Sequence, residues 1–496
     1  MNLQQSIARR VAVVGGGISG LAAAHRLAEL DPTCRISLFD RAGRLGGVLS
    51  TVHEDGFQVE QSADNFITTF PWGLALCGRL GLQEDLIQTT PEYRRTFVVR
   101  RGRLYKLPDG FLMMAPTRLW PMAVTPILSP WGKLRAALEY FIPPRRDDGD
   151  ESMAAFVRRR LGREVFDRLV EPLVSAVYAA DMERLSVEAT LSRFREMERE
   201  HGSLIRAMRR AMKSQRHARE SGARYSMFVT LRGGLSSLID ALAARLPEGS
   251  LRLNTEVRRM QRTDDGWQLA LAETSHAESR LPDETFDAVI LAAPSHVSAE
   301  LLRPTDARVA DDLAGIEHSG TAIVTLAFDR NQIAHPLDGM GAVVPAIEQS
   351  PILAVSFSSQ KYAHRAPEGK VLLRAFVGGA RRHELAEMPE RELVPLVLGE
   401  LRPLLGIGGK GKQASASGRQ AEPCYVNTAH WPRTMPQYHV GHRERIARVL
   451  SHIAALPNVE LAGNVLEGVG IPNCIHTGEL AAERALAALA AGSAVE

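Results

Sequence analysis

Two glycine patterns at opposite ends of the chain carry the chemistry this sequence offers. Near the start, the apolar run Val11 to Val14 gives way to Gly15-Gly16-Gly17-Ile18-Ser19-Gly20, and Asp40 follows twenty residues after the last glycine. A G-x-G-x-x-G turn between a strand and a helix is a dinucleotide fingerprint. Gly15 allows the tight turn, Gly17 lets backbone approach a pyrophosphate, and Gly20 lets helix and strand pack closely. The helix N-terminus then faces phosphate, and Asp40, closing the second strand after Ile36 and Leu38, is placed to bind ribose hydroxyls. A glycine-rich turn without a ligand is the competing reading. The preceding strand, the following amphipathic helix (Leu21, Ala24, Leu27, Ala28) and the acid at the right offset weigh against it. Near the other end, Leu461 to Cys474 reads as a strand end, a glycine loop and a helix start, with apolar residues at Ile475, Leu480, Leu486 and Leu489.

The choice between NAD and FAD turns on Arg41-Ala42-Gly43-Arg44-Leu45-Gly46-Gly47, directly after Asp40. This Arg-x-Gly-Gly loop resembles the FAD enzymes of the amine oxidase superfamily, in which it wraps the pyrophosphate and ribityl side of the flavin. The resemblance implies FAD contacts at Gly15 to Gly20, Asp40, Arg41, Arg44, Gly46, Gly47 and Val48. It implies further contacts at Ala63, Asp64, Asn65 and Val257, and at Gly463, Asn464, Val469, Gly470 and Ile471. A helix N-terminus aimed at the flavin pyrimidine ring would stabilise the negative charge that develops there on reduction.

Two termini converging on one cofactor require everything else to be inserted between them. The expected fold is α/β: a discontinuous Rossmann-type FAD-binding domain, similar to amine oxidases and p-hydroxybenzoate hydroxylase, with an inserted mixed-sheet substrate domain and a helical domain. FAD-binding segments are expected at 1–95, 224–300 and 455–496. A hairpin plus helical domain takes 96–223, and a substrate domain takes 301–454. Phe97 to Arg100 and Leu104 to Leu107 flank a turn at Arg101-Gly102-Arg103, a hairpin signal. Pro143 to Asp150 reads as a linker, and helices follow from Met153 after a Ser152 cap to about Arg219. Leu231 to Leu235 opens a helix, Leu251 to Val257 and Asp287 to Pro294 read as strands, and Ala322 to Phe328, Ile352 to Phe357 and Val371 to Phe376 suggest the substrate sheet.

Bulk properties narrow the class. A length of 496 residues suits about three domains. A net charge of +3 is too small to argue for nucleic acid. Cys34, Cys77, Cys424 and Cys474 are widely spaced, without a C-x-x-C pair, so neither a disulfide framework nor a zinc site is expected and a reducing compartment follows. Arg9-Arg10 before an apolar run imitates an export signal, but cleavage there would remove the first strand and phosphate loop, so a cytoplasmic protein is expected. Phe111 to Pro130 is the most membrane-like stretch, yet Pro116, Pro121, Pro126, Pro130 and Arg118 forbid a spanning helix. Packing within the helical domain, a peripheral bilayer contact and an apolar substrate entrance all stay open. Arg206, Arg209, Arg210, Lys213, Arg216, Arg219 and Arg224 face a single acid, Glu220. A solvated helix face or loop and a basic lip for an acidic substrate are the two readings, and the lack of interleaved aromatics argues against nucleic acid.

Several longer patches, Phe156 to Val165 leading to Glu171 to Ala179, Leu231 to Leu235, Met435 to Tyr438 with Gly441-His442, and Ala462 to Gly470, resemble the protoporphyrinogen/coproporphyrinogen oxidase family almost end to end. By that resemblance a porphyrinogen loses six electrons in three flavin cycles, each moving hydride from a meso carbon to flavin N5. Molecular oxygen is the acceptor and hydrogen peroxide the product, within haem synthesis. A hydride donor stacked on a flavin needs a flat apolar slot more than an acid-base dyad. Positions matching the family's slot are Met340-Gly341-Ala342-Val343, near Ser356-Phe357, and Phe376, which an ordinary strand core would also contain. No catalytic base stands out among His318, His335, His364, His439 and His442. Where eukaryotic and plant-type relatives place a propionate-binding arginine, this chain has Thr96, with Arg94 and Arg95 just upstream. Arg95 or Arg94 could bind the carboxylate in a shifted register, or the chain belongs with bacterial members that use coproporphyrinogen III, the favoured substrate over protoporphyrinogen IX. Glu422-Pro423-Cys424-Tyr425 lacks the glycine context of cysteine-linked flavins, so non-covalent FAD is expected. An amine oxidase or carotenoid desaturase, with Trp431 and Tyr438 as its aromatic pair, and a tetrapyrrole carrier are the rival readings. A haem-pathway enzyme is a further expected partner.

Overall fold

The computed structural model describes residues 9–116, 118–210, 227–275, 280–408 and 421–492. A five-stranded parallel sheet runs Leu251–Arg252, Arg35–Phe39, Arg10–Val14, Ala288–Leu291 and Val459–Leu461. Its centre is therefore the first strand of the chain, with strands from remote segments on either side. Strand alternation gives each face its own core. Val11, Val13, Ile36, Leu38, Ala288 and Ile290 face the helices Ile18–Leu30 and Ile471–Gly492, while Ala12, Val14, Phe39, Val289 and Leu291 face a three-stranded antiparallel sheet around the buried Trp267. Gly20 and Gly478 let these layers close, because a Cβ on Gly20 would overlap the Gly15 carbonyl oxygen and one on Gly478 the Ser19 carbonyl oxygen.

A seven-stranded sheet forms the second body, in the order Tyr425–Pro436, His318–Asp329, Lys370–Gly378, Ile352–Phe357, Gly341–Val343, Thr96–Arg100 and Arg103–Lys106. All its pairs are antiparallel except Gly341–Val343 with Thr96–Arg100. One face packs on Leu393, Val397 and Leu401 of the helix Glu390–Leu405. The other meets the helical region, where Phe156, Val157, Leu169 and Phe194 are fully buried or nearly so.

Three expectations need correction. The hairpin at 96–106, grouped with the helices, belongs by strand pairing to the seven-stranded sheet. Leu251 to Val257 is not one strand: the chain turns at Asn254, where φ is 50°, so Leu251–Arg252 joins the parallel sheet and Thr255–Thr263 begins the antiparallel one. The helices Ala307–Ala314 and His442–Ile453, expected with the substrate sheet, pack through Val309, Leu313, Ile446 and Val449 against the core beneath the parallel sheet. Ser152 caps the helix Met153–Leu161 as expected, its hydroxyl accepting from Ala155 N–H at 3.2 Å. Of the basic run, Lys213, Arg216, Arg219 and Arg224 lie outside the described residues, whereas Arg206 donates to Tyr140 O at 2.9 Å and covers its ring.

Candidate functional site

The first βα turn is built to receive a diphosphate. Gly15 has φ of +112°, and a Cβ there would lie 2.8 Å from Ala292 O. Gly17 caps the helix without a side-chain hydrogen bond, no acid occupies the first turn, and a Cβ on Gly17 would meet nothing within 4 Å. The positive end of this helix thus carries no side-chain cap and no acid, and open space lies beside Gly17, which fits an anionic phosphate. Asp40 holds the turn, accepting from Gly16 N–H at 2.7 Å and from Ala42 N–H at 2.7 Å. The loop after it bridges back, with Gly46 paired to Gly17 and Gly46 N–H donating to Gly16 O at 2.8 Å. Arg44 braces this loop through Gly47 O at 2.6 Å, Val48 is exposed beside it, and Arg41 O accepts from Thr274 at 2.9 Å. The strand carrying Val257 is tied to the same place by Asn254 N–H to Ala42 O and Thr255 N–H to Asp40 O.

The C-terminal loop approaches from the other side. Gly463 has φ of +129° and space around it, and its N–H donates to Thr477 at 3.1 Å. Tyr438 clamps the loop: its buried hydroxyl donates to Asn464 O and accepts from Gly468 N–H at 3.0 Å. Its ring stacks on His442 at 4.2 Å, and His442 Nε2 contacts Val465 O at 3.0 Å. Gly470 O then accepts from Cys474 N–H as the helix begins at Ile471.

Between these loops and the seven-stranded sheet lies residues 61–65. Gln61 N–H donates to Ser50 O, and Trp431, beneath the Arg44 guanidinium, donates to Gln61 O at 2.6 Å. Ala63 is exposed. Asp64 accepts from Asn65 Nδ2 at 2.7 Å and from Lys361 Nζ at 2.9 and 3.0 Å.

Register decides which slot residues meet. Val98, Val343, Ala354, Phe376, Ile323 and Ala429 form one cross-strand row of the sheet. Two residues along on the same face runs a polar row, Thr96, Gly341, Ser356, Arg374, Thr325 and Asn427. Val98, Val343, Ala354 and Phe376 share an apolar cluster with Val469 of the C-terminal loop and with Tyr178 of the helical region. Of the residues singled out in the sequence, Val343, Phe376 and Val469 thus share one cluster. Met340 does not join them: it precedes the strand with the parity of Ala342, which faces the opposite core, as does Phe357. Arg95 is also set apart, half-exposed and paired with Asp338 at 3.1 Å, while Arg94 donates to Thr89 Oγ1 at 3.2 Å.

His318, His335 and His442 have structural partners. Burial pushes His318 and His442 down to about 4, so both are neutral near pH 7. His318 Nδ1 contacts Ile316 O, and His335 accepts from Leu337 N–H. Trp431 and Tyr438 serve different loops and form no facing pair. Cys424 immediately precedes the strand Tyr425–Pro436, seven residues before Trp431. Sequence reasoning passed over Gln61, Lys361 and the clamping role of Tyr438. The quoted Met435 to His442 patch held a signal for Tyr438, and the polar segment around Lys361 held none.

A dinucleotide turn, a second glycine loop and an apolar sheet face meeting at one place define an FAD-dependent oxidoreductase. The chain belongs to the family described as flavin containing amine oxidoreductase, which it matches over residues 18–486. Within known proteins it is 37% identical to a coproporphyrinogen III oxidase of Propionibacterium freudenreichii subsp. freudenreichii, over 97% of this chain and 91% of that one. It is 30% identical to the chloroplastic protoporphyrinogen oxidase of Nicotiana tabacum, over 94% and 83%. A crystal structure from Exiguobacterium sp. 255-15 superposes with a TM-score of 0.82 at 31% identity, covering 96% of this chain and 98% of that one.

Proposed function

We propose that the enzyme oxidises coproporphyrinogen III to coproporphyrin III in haem synthesis, with three O2 consumed and three H2O2 formed for the six electrons removed. The observation that carries this reading is the flat apolar row Val98, Val343, Ala354 and Phe376, joined in one cluster with Val469 of the C-terminal glycine loop. Bound FAD supplies the two-electron acceptor. The chain's own contribution is to bind the diphosphate at Gly15 to Gly20, to hold the Gly463 to Ile471 loop through Tyr438, and to present a macrocycle face-on while excluding water. Among the described residues no acid-base pair lines the row, which suits hydride removal from carbon. Thr96 at the end of the polar row, in place of an arginine, and the higher identity to the coproporphyrinogen enzyme favour the four-carboxylate substrate over protoporphyrinogen IX.

The deciding experiment mixes anaerobically prepared coproporphyrinogen III or protoporphyrinogen IX with holoenzyme and oxygen, following porphyrin fluorescence and peroxide. Faster turnover of coproporphyrinogen supports the reading; preference for protoporphyrinogen moves the enzyme to the other branch. Turnover of neither returns the carrier reading.

A peripheral membrane contact is also proposed, at the helix Pro130–Ala137 and the turn Leu138–Phe141 that continues it. Trp131, Leu134, Leu138 and Phe141 recur at i, i+3, i+7 and i+10 and face outward, Trp131 being 79% and Phe141 75% exposed. Trp120 on the preceding helix is exposed as well. Glu139, the sole acid from Phe111 to Arg146, is buried against Arg160, and Arg145 is paired with Asp147, whereas Arg118, Lys133 and Arg146 leave this segment cationic. An outward apolar stripe among cations complements an anionic lipid surface. Among the described residues no helix is long and apolar enough to cross a membrane.

A further inference from the structure

Behind residues 61–65 sits a charged cluster that the proposed reaction does not use. Arg374 is 1% exposed, Lys361 15% and Asp64 14%, and the Asp64 carboxylate lies 2.9 Å from Lys361 Nζ and 3.5 Å from Arg374 Nη1. Arg374 also donates to Ser62 O and lies over the Phe376 ring at 5.3 Å. Arg365, 3.4 Å from Glu60 and donating to Thr230 and Leu231 O, adjoins them. Three cations therefore face two carboxylates. Burial pushes Glu60 upward, toward its neutral form, while Lys361 and Arg374 hold Asp64 ionised. Among the described residues, Arg374 Nε and the hydroxyls of Ser62 and Ser356 are buried without a hydrogen-bond partner. Excess positive charge with unspent donors is costly in a dry interior unless negative charge comes within reach.

We propose that Lys361, Asp64 and Arg374 form a buried cationic site behind the flavin loop, which stabilises negative charge on the bound isoalloxazine ring and so sets how readily the cofactor accepts electrons. The proposal rests on flavin lying against residues 63–65. Those residues are tied to the phosphate-side loop through Gln61, Ser50 and the Trp431–Arg44 contact, and to Phe376 through Arg374. Charge here acts on the cofactor through space, so Lys361 and Arg374 are positioning and electrostatic residues that leave the substrate carbon untouched.

Sulfite is the probe, because its lone pair adds to oxidised flavin N5 and leaves an anionic ring. In holoenzyme, Lys361→Met should weaken sulfite binding about tenfold and lower the two-electron potential by about 30 mV, the equivalent of that factor. Asp64→Asn removes the local anion and should shift both quantities the opposite way. Lys361→Arg should restore the parent values, and Arg374→Gln should follow Lys361→Met. Shifts of one sign in both the lysine and aspartate variants would mark a merely structural cluster and overturn the charge role. Altered FAD affinity with unaltered potential would also overturn it while keeping the flavin placement. Unaltered affinity and potential in every variant would remove the flavin from residues 63–65 and sink both.

Discussion

Replacing Gly17 with valine separates the cofactor role of the first turn from its folding role. Gly17 has φ of −69° and ψ of 177°, an extended conformation open to any residue, and a side chain there would meet no protein atom within 4 Å. The unliganded fold should lose only about 1 kcal/mol, the scale of a poorer N-cap. Bound diphosphate, however, must approach the N–H groups of this turn, and the valine methyls would fill that space. Losing two backbone hydrogen bonds to a charged group, at about 1.5–3 kcal/mol each, weakens FAD by about 3 kcal/mol or more. That is a factor of about 100 or more in Kd. Flavin stoichiometry from absorbance, titration of stripped protein with FAD, and thermal melts of the stripped form measure both terms. Gly20→Ala is the contrast, because its Cβ overlaps the Gly15 carbonyl oxygen and should depress the melt of the stripped form itself. A Gly17→Val protein that binds FAD like the parent would refute the placement, and one whose stripped form melts as early as Gly20→Ala would refute the division of roles.

Tyr438→Phe removes both hydrogen bonds across the C-terminal loop and should cost about 1–3 kcal/mol, read as faster FAD release and a lower Tm. Arg95→Ala should leave KM for a carboxylated porphyrinogen within about twofold, since its partner is Asp338; a rise of about tenfold, the size of a lost charge-assisted contact, would return Arg95 to the site. His318 and His442 have folded values near 4, below the unfolded value, so the stability they contribute is complete above about pH 6.5 and drains away as pH falls toward 4. Urea midpoints at fixed ionic strength should fall across that window, and less steeply in His318→Gln. Paired Trp131→Ser and Phe141→Ser changes should abolish co-sedimentation with anionic vesicles without altering the melt; unchanged sedimentation would leave the stripe to a protein partner.

The dinucleotide turn was legible because its requirements are local: a strand, glycines at three offsets, a helix and an acid specify the geometry by short-range sterics. The same holds for the Ser152 cap and for strand alternation. The Arg41 to Gly47 loop, through its resemblance to amine oxidase superfamily enzymes, pointed to FAD, and the family match agrees. Tertiary structure alone decided what depends on register and remote approach. One residue of parity removes Met340 and Phe357 from the sheet face that carries Gly341, Val343 and Phe376. A left-handed Asn254 sends one expected strand into two sheets. Lys361 reaches Asp64 across 297 residues of chain, and Tyr438 reaches Gly468 across 30. An apolar stripe at helical spacing reads the same whether it faces a core or the outside, and only the packing of Gly132 and Glu139 inward turns Trp131 and Phe141 outward. Local sterics and periodicity are written in consecutive residues, whereas the meeting of distant side chains is fixed by strand register and by which faces bury one another.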